Sequence, residues 1–301
     1  MVKTLVLVKL WDTLALENIT STAEVLHNNM TRLQTLKLIG SLVSLLMSLA
    51  STAKQQPIVE LGIGVSSFLN PHYLGADQSS SYVFPFPYVI YRGDYIKADR
   101  SGLRGFIYDS DKLDVRMSFS GSLPVNSQDN KARAGMENLD VMVEAGPNFE
   151  YQLYKNTNTL LRFDLPLRAA FSLGNPFMYH QGWTTNPRLY LRQQAKQWTF
   201  VSTLGVVFSD QRYHDYIYTV EDTEVTNERS YYQSGAGFTG TRFSISAKRQ
   251  FGQFITGANM RYYNLSGAKN IDSPLIKQRE YISVGVYVAW VFHRSKQTRA
   301  D

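Results

Sequence analysis

Residues 139–154 read LDVMVEAGPNFEYQLY. Val141, Val143, Ala145, Phe149, Tyr151 and Leu153 hold the odd positions, while Asp140, Glu144, Glu150 and Gln152 hold even ones. Successive side chains of a strand point to opposite faces, so this is a strand with one apolar and one polar face. At 16 residues it is far longer than the 5 or 6 usual in soluble sheets and exceeds the roughly 9 to 11 that a tilted strand needs to cross a bilayer.

The same alternation recurs on both sides. Leu113, Val115, Met117 and Phe119 alternate with Asp114, Arg116, Ser118 and Ser120, and Leu161, Phe163, Leu165 and Leu167 with Arg162, Asp164 and Arg168. Trp198, Phe200, Leu204, Val206 and Phe208 mark one face of another segment, and Val284, Val286, Val288, Trp290 and Phe292 one face of the last. Strands are expected near 58–69, 82–92, 94–99, 102–109, 112–122, 138–154, 158–172, 187–195, 197–209, 233–249, 253–265 and 281–292. Twelve is an even number. Tight connectors near Gly93, Ser110, Asn156, Lys196 and Gly252 alternate with long polar ones, except after 94–99, where the connector is short. An even strand count with short turns at one end and long loops at the other is the plan of an outer-membrane barrel. The expected fold is therefore all-β: an antiparallel transmembrane β-barrel of about 12 strands, with short periplasmic turns and longer extracellular loops. Tyr73, Tyr88, Tyr91, Trp183, Trp198, Tyr231, Tyr232, Tyr262, Tyr281 and Trp290 fall near segment ends, where interfacial aromatic girdles belong.

If the apolar faces meet lipid, the charges must turn inward, because an Arg on the lipid face at midplane costs roughly 2–4 kcal/mol. Asp114, Arg116, Asp140, Glu144, Arg162, Asp164, Arg168, Arg242 and Arg261 are the expected lumen charge network, joined by Arg188 and Arg192. With both signs on neighbouring strands, the lumen is expected to be crossed by ion pairs and narrow.

The N-terminal region has a different grammar. Arg32 and Lys37 precede an uncharged run at 38–50, followed by Ser51-Thr52-Ala53, which is the layout of a secretory signal peptide. Thirteen residues at about 1.5 Å rise cover roughly 20 Å, too little for a membrane helix. Residues 1–29 read as an upstream extension with translation starting at Met30, residues 30–53 as the signal peptide, 54–292 as the barrel and 293–301 as a basic periplasmic tail. In that tail Arg294, Lys296 and Arg299 outnumber Asp301, suited to a weak, salt-screened contact with an acidic partner.

The 301 residues contain no cysteine, which excludes disulfide frameworks, thiolate zinc sites and a cysteine nucleophile. The 31 Lys+Arg against 25 Asp+Glu give a net charge of +6, but the basic residues are scattered, so no nucleic-acid partner is expected. His27, His72, His180, His214 and His293 never fall at metal-ligand spacing, and neither metal nor cofactor is expected. Gly235-Ala-Gly237-Phe-Thr-Gly240 matches a dinucleotide motif in letters alone, since a strand rather than a helix follows. Arg92-Gly93-Asp94 is ordinary turn chemistry. No G-x-S-x-G elbow occurs, so a barrel-embedded hydrolase would need a dispersed Ser/His/acid set.

An ordered set of stretches resembles the MipA/OmpV family of MltA-interacting outer-membrane proteins. The stretches are Asn70-Pro-His-Tyr-Leu-Gly-Ala76, Phe84-Pro-Phe-Pro-Tyr88 through Tyr91-Arg-Gly-Asp94, Glu144-Ala-Gly-Pro147, Tyr232-Gln-Ser-Gly-Ala-Gly-Phe-Thr-Gly-Thr-Arg242, Leu265-Ser-Gly-Ala268, Asp272-Ser-Pro-Leu275, Ser283-Val-Gly285 and Trp290-Val-Phe292. The resemblance implies a bacterial outer-membrane barrel, in contact with outer-membrane lipid, that is not an enzyme. Its implied role is a scaffold linking a lytic transglycosylase to a penicillin-binding murein synthase. Other members of the family look porin-like or linked to stress and osmolarity, which implies a narrow channel as the alternative. The resemblance carries no catalytic residues.

Overall fold

The computed structural model describes residues 56–92, 96–99 and 102–299. The extension, the signal peptide and the Gly93-Asp94 turn expected from the sequence lie outside these residues.

The strands are β1 (Gln56–Pro57), β2 (Val59–Pro71), β3 (Ser79–Arg92), β4 (Ile96–Asp99), β5 (Gly102–Asp109), β6 (Leu113–Ser122), β7 (Met142–Lys155), β8 (Thr159–Ser172), β9 (Tyr179–Thr185), β10 (Arg188–Ala195), β11 (Trp198–Ser209), β12 (Gly237–Phe251), β13 (Phe254–Asn264), β14 (Glu280–Arg294) and β15 (Thr298–Arg299), with one helix, α1 (Gln211–Tyr218). From β2 to β14 each strand pairs antiparallel with its neighbours, and β14 returns to β2, setting Val286 opposite Ser67. The sheet returns on itself, and its shortest joint is β3–β4, paired among the described residues only at Tyr91–Ala98 and Arg92–Lys97.

Strands β9 and β10 share one place in the wall, because both lie between β8 and β11. That makes twelve staves. The break falls at Asn186-Pro187, where proline has no N–H to donate; the Asn186 side-chain amide donates instead to Val206 O at 2.7 Å, and Val206 N–H donates to Pro187 O at 3.1 Å. Strand β9 was not expected from the sequence, since Tyr179–Thr185 lacks a clean two-residue period. The segments 138–141 and 233–236, expected as strand, belong to the loops instead.

Burial follows the alternation. On β7 Met142, Glu144, Asn148 and Glu150 are buried while Phe149, Tyr151 and Leu153 are exposed. On β14 Tyr281, Ser283, Ala289 and Val291 are buried while Ile282, Val284, Val286, Val288 and Trp290 are exposed. An outer belt of exposed aliphatic and aromatic side chains is what lipid requires. Tyr91, Trp183, Trp198 and Trp290 stand on that outer surface, and Arg249 lays its guanidinium over Trp198 and Phe251 at 5.3 and 4.2 Å. Tyr73, Tyr88 and Tyr281, expected in the girdles, are buried. Tyr88 and Tyr281 hold inward register positions, and Tyr73 lies in the packed loops, where Tyr232 also packs.

Tight turns at 110–112, 156–158, 196–197 and 252–253 occupy one end of the barrel, and loops 72–78, 123–141, 173–178, 210–236 and 265–279 the other. At the tight end β14 continues past Phe292 to Arg294, whose Nη2 donates to Gly252 O at 3.0 Å, and β15 pairs with β1. The glycine-rich run at 235–240 serves the wall: Gly240 holds φ +155 beside a register shift in β11, and a Cβ there would stand 2.8 Å from Asn264 O. Gly240→Val is expected to cost at least about 1–3 kcal/mol in backbone strain, read as a lower temperature for loss of the folded band in heat-modifiability gels.

Candidate functional site

The long-loop end is closed by a cap with its own hydrophobic core. Tyr73, Ala76, Val125, Ala132, Met136, Leu139, Ile217, Tyr218, Val220 and Leu275 pack there against Met142 and Ala170 from the barrel wall. Helix α1 begins at Asp210, whose carboxylate accepts from Tyr213 N–H at 2.9 Å, a conventional N-cap. It packs against β9 at Gly182, where φ is +112 and a Cβ would stand 2.6 Å from Tyr213 N. Arg133 and Arg229, both buried, tie the loops together: Arg133 Nη1 donates to Ile217 O at 2.9 Å and Arg229 Nη1 to Ala132 O at 2.9 Å. Tyr218 donates to Leu74 O and Tyr73 to Leu275 O, so four loops share one set of bonds. Burial pushes the Tyr73, Tyr213 and Tyr218 hydroxyls up, keeping all three protonated donors. Tyr213 donates to Glu144 Oε1 at 3.2 Å and thereby joins the cap to the lumen.

Beneath the cap runs a ladder of ion pairs. Glu144, on β7, meets Arg168 of β8 at 3.4 Å, and Arg168 Nε donates to Ser118 Oγ of β6 at 3.0 Å. Glu150 meets Arg162 at 2.8 Å and Arg116 at 3.5 Å, and accepts from Asn148 Nδ2 at 2.9 Å. Asp164 is fully buried between Arg162 at 2.6 Å and Arg188 at 3.3 Å, while Asp114 pairs with Arg116. The Arg162 guanidinium also lies over the Tyr190 ring at 4.1 Å. Cross-strand register explains the contacts, since Glu150 stands opposite both Asp114 and Asp164, and Asp164 opposite Arg188. A carboxylate shared by two guanidiniums is fixed in position, so the ladder clamps four staves in one register.

Of the expected network, Asp114, Arg116, Glu144, Arg162, Asp164 and Arg168 lie in this ladder. Glu150, its hub, was visible in the alternation of 139–154 but not in the expected set. Asp140 lies outside it, in the cap, where its backbone N–H donates to Tyr216 OH at 2.7 Å. Arg242 and Arg261 face the lumen by register but have no carboxylate partner among the described residues. Helix α1 escaped the sequence reading because eight residues are too short for helical periodicity; Asp210 as an N-cap was its one signal.

Ser80, His72 and Asn130 stand in line, with His72 Nε2 2.9 Å from Ser80 Oγ and Asn130 Nδ2 3.1 Å from His72 Nδ1. The outline is that of a nucleophile set, but the proton is on the wrong side. Asn130 Oδ1 accepts from Arg133 N–H, so its amide donates to Nδ1 and leaves Nε2 as the donor to serine. A general base must accept the serine proton. The line serves as a pin between the barrel rim and the cap.

The model of one protein family, MltA-interacting protein MipA, matches residues 63–292. A search of the curated proteins found no match. Among solved structures the chain is similar to a bacterial polysaccharide outer membrane secretin, at 9% identity and TM-score 0.38, covering 80% of this chain and 100% of that one. It is also similar to the NanC porin, at 8% and 0.36, covering 76% and 98%, and to the COG4313 outer membrane channel from Pseudomonas putida F1, at 11% and 0.33, covering 81% and 100%.

Asp164→Ala leaves the half-buried Arg188 without its carboxylate and Arg162 with Glu150 alone, and is expected to cost up to about 3 kcal/mol in reversible unfolding, while Asp114→Ala, at the wetter end of the ladder, costs about 1 kcal/mol or less. A second expectation concerns pH. His214 is buried in the cap with Nδ1 2.7 Å from Gly235 O and Nε2 2.9 Å from Thr239 Oγ1, between the Tyr213 and Tyr218 rings. Burial lowers its pKa below the ordinary 6.5 and outweighs the Gly235 carbonyl and the Asp210 and Asp215 carboxylates, which favour the charged form. Below 6.5 the unfolded chain therefore binds a proton that the folded cap refuses, and the cap loses stability as pH falls. Protection factors across 211–218, with the intrinsic pH dependence of amide exchange divided out, should fall between about pH 7.5 and 5.5, and His214→Gln should remove that dependence.

Proposed function

The chain is a member of the MipA family, and on that premise we propose that it is a non-enzymatic outer-membrane scaffold. Its periplasmic rim would hold a murein-cleaving lytic transglycosylase beside a penicillin-binding murein synthase. The family description, an MltA-interacting protein, supports the first partner. The observation that carries the reading is the cap: a mouth closed by a hydrophobic core and buried arginines is built to stay shut, unlike the mouth of a general diffusion pore. The surface left for partners is the tight-turn rim, enlarged by the β1–β15 ribbon and the basic residues around it. A stable interface takes about 800 Å² and 20–30 residues a side, so one turn is too small and a partner would span several turns and the ribbon together.

A narrow channel is the second reading, favoured by the lumen-facing yet exposed Arg261 and Lys248. Affinity capture from gently solubilised envelopes, run beside planar-bilayer conductance, separates the two. The scaffold reading expects a murein enzyme in the eluate and no steady conductance. Ion-selective conductance that falls in Arg162→Gln or Arg168→Gln, with no murein enzyme recovered, would replace it with the channel.

A further inference from the structure

The wall opposite the ion-pair ladder is made of rings. On β2 and β3, Phe68, Tyr82 and Phe84 form a triangle with centroids 5.5, 5.7 and 5.9 Å apart, the last pair nearly parallel. Phe84 points inward with Ser66 opposite and is 38% exposed, on the stretch of β3 that β4, paired among the described residues only with Tyr91 and Arg92, does not flank. Gly285 borders the same space: a Cβ there would stand 3.0 Å from Asn259 Nδ2 and 3.1 Å from Phe68 Cβ. The absent side chain lets that amide and the ring platform approach each other closely.

One inward step from Asn259 along β13 is Arg261, exposed and facing the lumen. Near the same end of β12, Arg242 lies over the Tyr263 ring at 5.5 Å, and Tyr263 stacks on Tyr281 at 4.7 Å. Tyr281 is only 8% exposed, and its hydroxyl has no hydrogen-bond partner. Register sets Arg242 opposite Tyr263 and Tyr263 opposite Tyr281, with Arg261 opposite Ser283, one inward step from Tyr281. Arg168 and Arg188 each have a carboxylate; these two cations do not, among the described residues. A buried donor without an acceptor is costly, and so are unneutralised guanidiniums in a confined lumen.

An anion answers both groups, and the adjoining platform asks for a flat face on the same molecule. Arg261 on β13 and Phe68 on β2 are two strands and two residues of register apart, about 12 Å at the backbone, a span that a small ring acid and an arginine side chain bridge together. We propose that the lumen holds a binding site for a small ring-bearing carboxylate. Arg242, Arg261 and the Tyr281 hydroxyl hold the carboxylate, and the ring stacks on Phe68, Tyr82 and Phe84. Bidentate guanidinium contacts suit a planar carboxylate, and aromatic platforms accept either an aromatic ring or the C–H face of a sugar. This site does not depend on the periplasmic rim, so it stands or falls apart from the scaffold reading.

The test is saturation-transfer NMR and calorimetry on the full-length protein in micelles, with empty micelles as the blank. The probes are benzoate and glucuronate, their neutral counterparts benzyl alcohol and glucose, and acetate. At least one ring acid should bind at least tenfold more tightly than its neutral counterpart and than acetate. Benzoate alone marks an aromatic acid, glucuronate alone a sugar acid, and either supports the site. Tyr281→Phe, which keeps the ring stack, and Arg242→Gln should each weaken binding at least fivefold, with Phe84→Ala weakening the ring acid and not acetate. Asp114→Asn, outside the site, should leave binding unchanged. No binding by either acid, acetate binding as well as the ring acids, or full affinity in a Tyr281→Phe protein that keeps its folded band would overturn the proposal.

Discussion

Closure of the sheet is the constraint on which everything else depends. A barrel in lipid has no free edge, so every strand must present one face to hydrocarbon and the other to a lumen of limited width. Charges admitted to such a lumen cannot stay apart. Glu144, Glu150 and Asp164 on two adjacent strands are each met by arginine from a neighbouring strand. The ladder is thus a consequence of the register: once Glu150 stands opposite Asp164, two acids face each other and need the guanidiniums that flank them. Pairs of this kind specify alignment more than they add stability, because desolvation offsets most of their attraction.

The cap shows a second use of the same chemistry. Arg133 and Arg229 are buried among loops, and they donate to backbone carbonyls instead of carboxylates. Loops lack the ladders that satisfy backbone groups in a sheet, and a planar five-donor side chain can serve several carbonyls at once. The Tyr213–Glu144 bond then links this loop core to the ladder, so a disturbance at either place is felt at the other. Several stretches that carried the family resemblance fall here: the loop after Asn70, the segment Tyr232–Arg242, and Asp272–Leu275 supply Tyr73, the Gly235 carbonyl, Ser273 and Leu275 to cap contacts.

The two sides of the lumen differ in kind. Strands β6, β7, β8 and β10 contribute the ladder of paired charges, whereas β2, β3, β13 and β14 contribute rings and, near the tight-turn end, the apolar cluster of Tyr88, Ile90, Ile255, Ala289 and Val291, with one ion pair, Glu60–Arg294, at the rim. Arg242 and Arg261 stand at the seam, without a carboxylate partner among the described residues, Arg242 in the same row as Arg188 across Gly205. The asymmetry makes the lumen a surface with a polar and an apolar side in place of a uniform pore.

Alternation determined the direction of nearly every strand side chain, because period two is a local property that each residue's neighbours express, and strand length with the parity of short and long connectors added the barrel and its twelve staves. Alternation put Glu150 inward as surely as Asp164. Residue order likewise placed Asp140 on the polar face of a strand, and only the folded loops moved it into the cap, since the strand begins at Met142. The splitting of one stave at Asn186-Pro187, the eight-residue helix in the mouth and the unpaired Tyr281 hydroxyl all depend on contacts between residues distant in the chain. Which charges pair was equally a matter of tertiary structure: alternation assigns a face to each charge, but pairing depends on the offset between neighbouring strands, and the turns and bulges that set that offset act only once the barrel is closed.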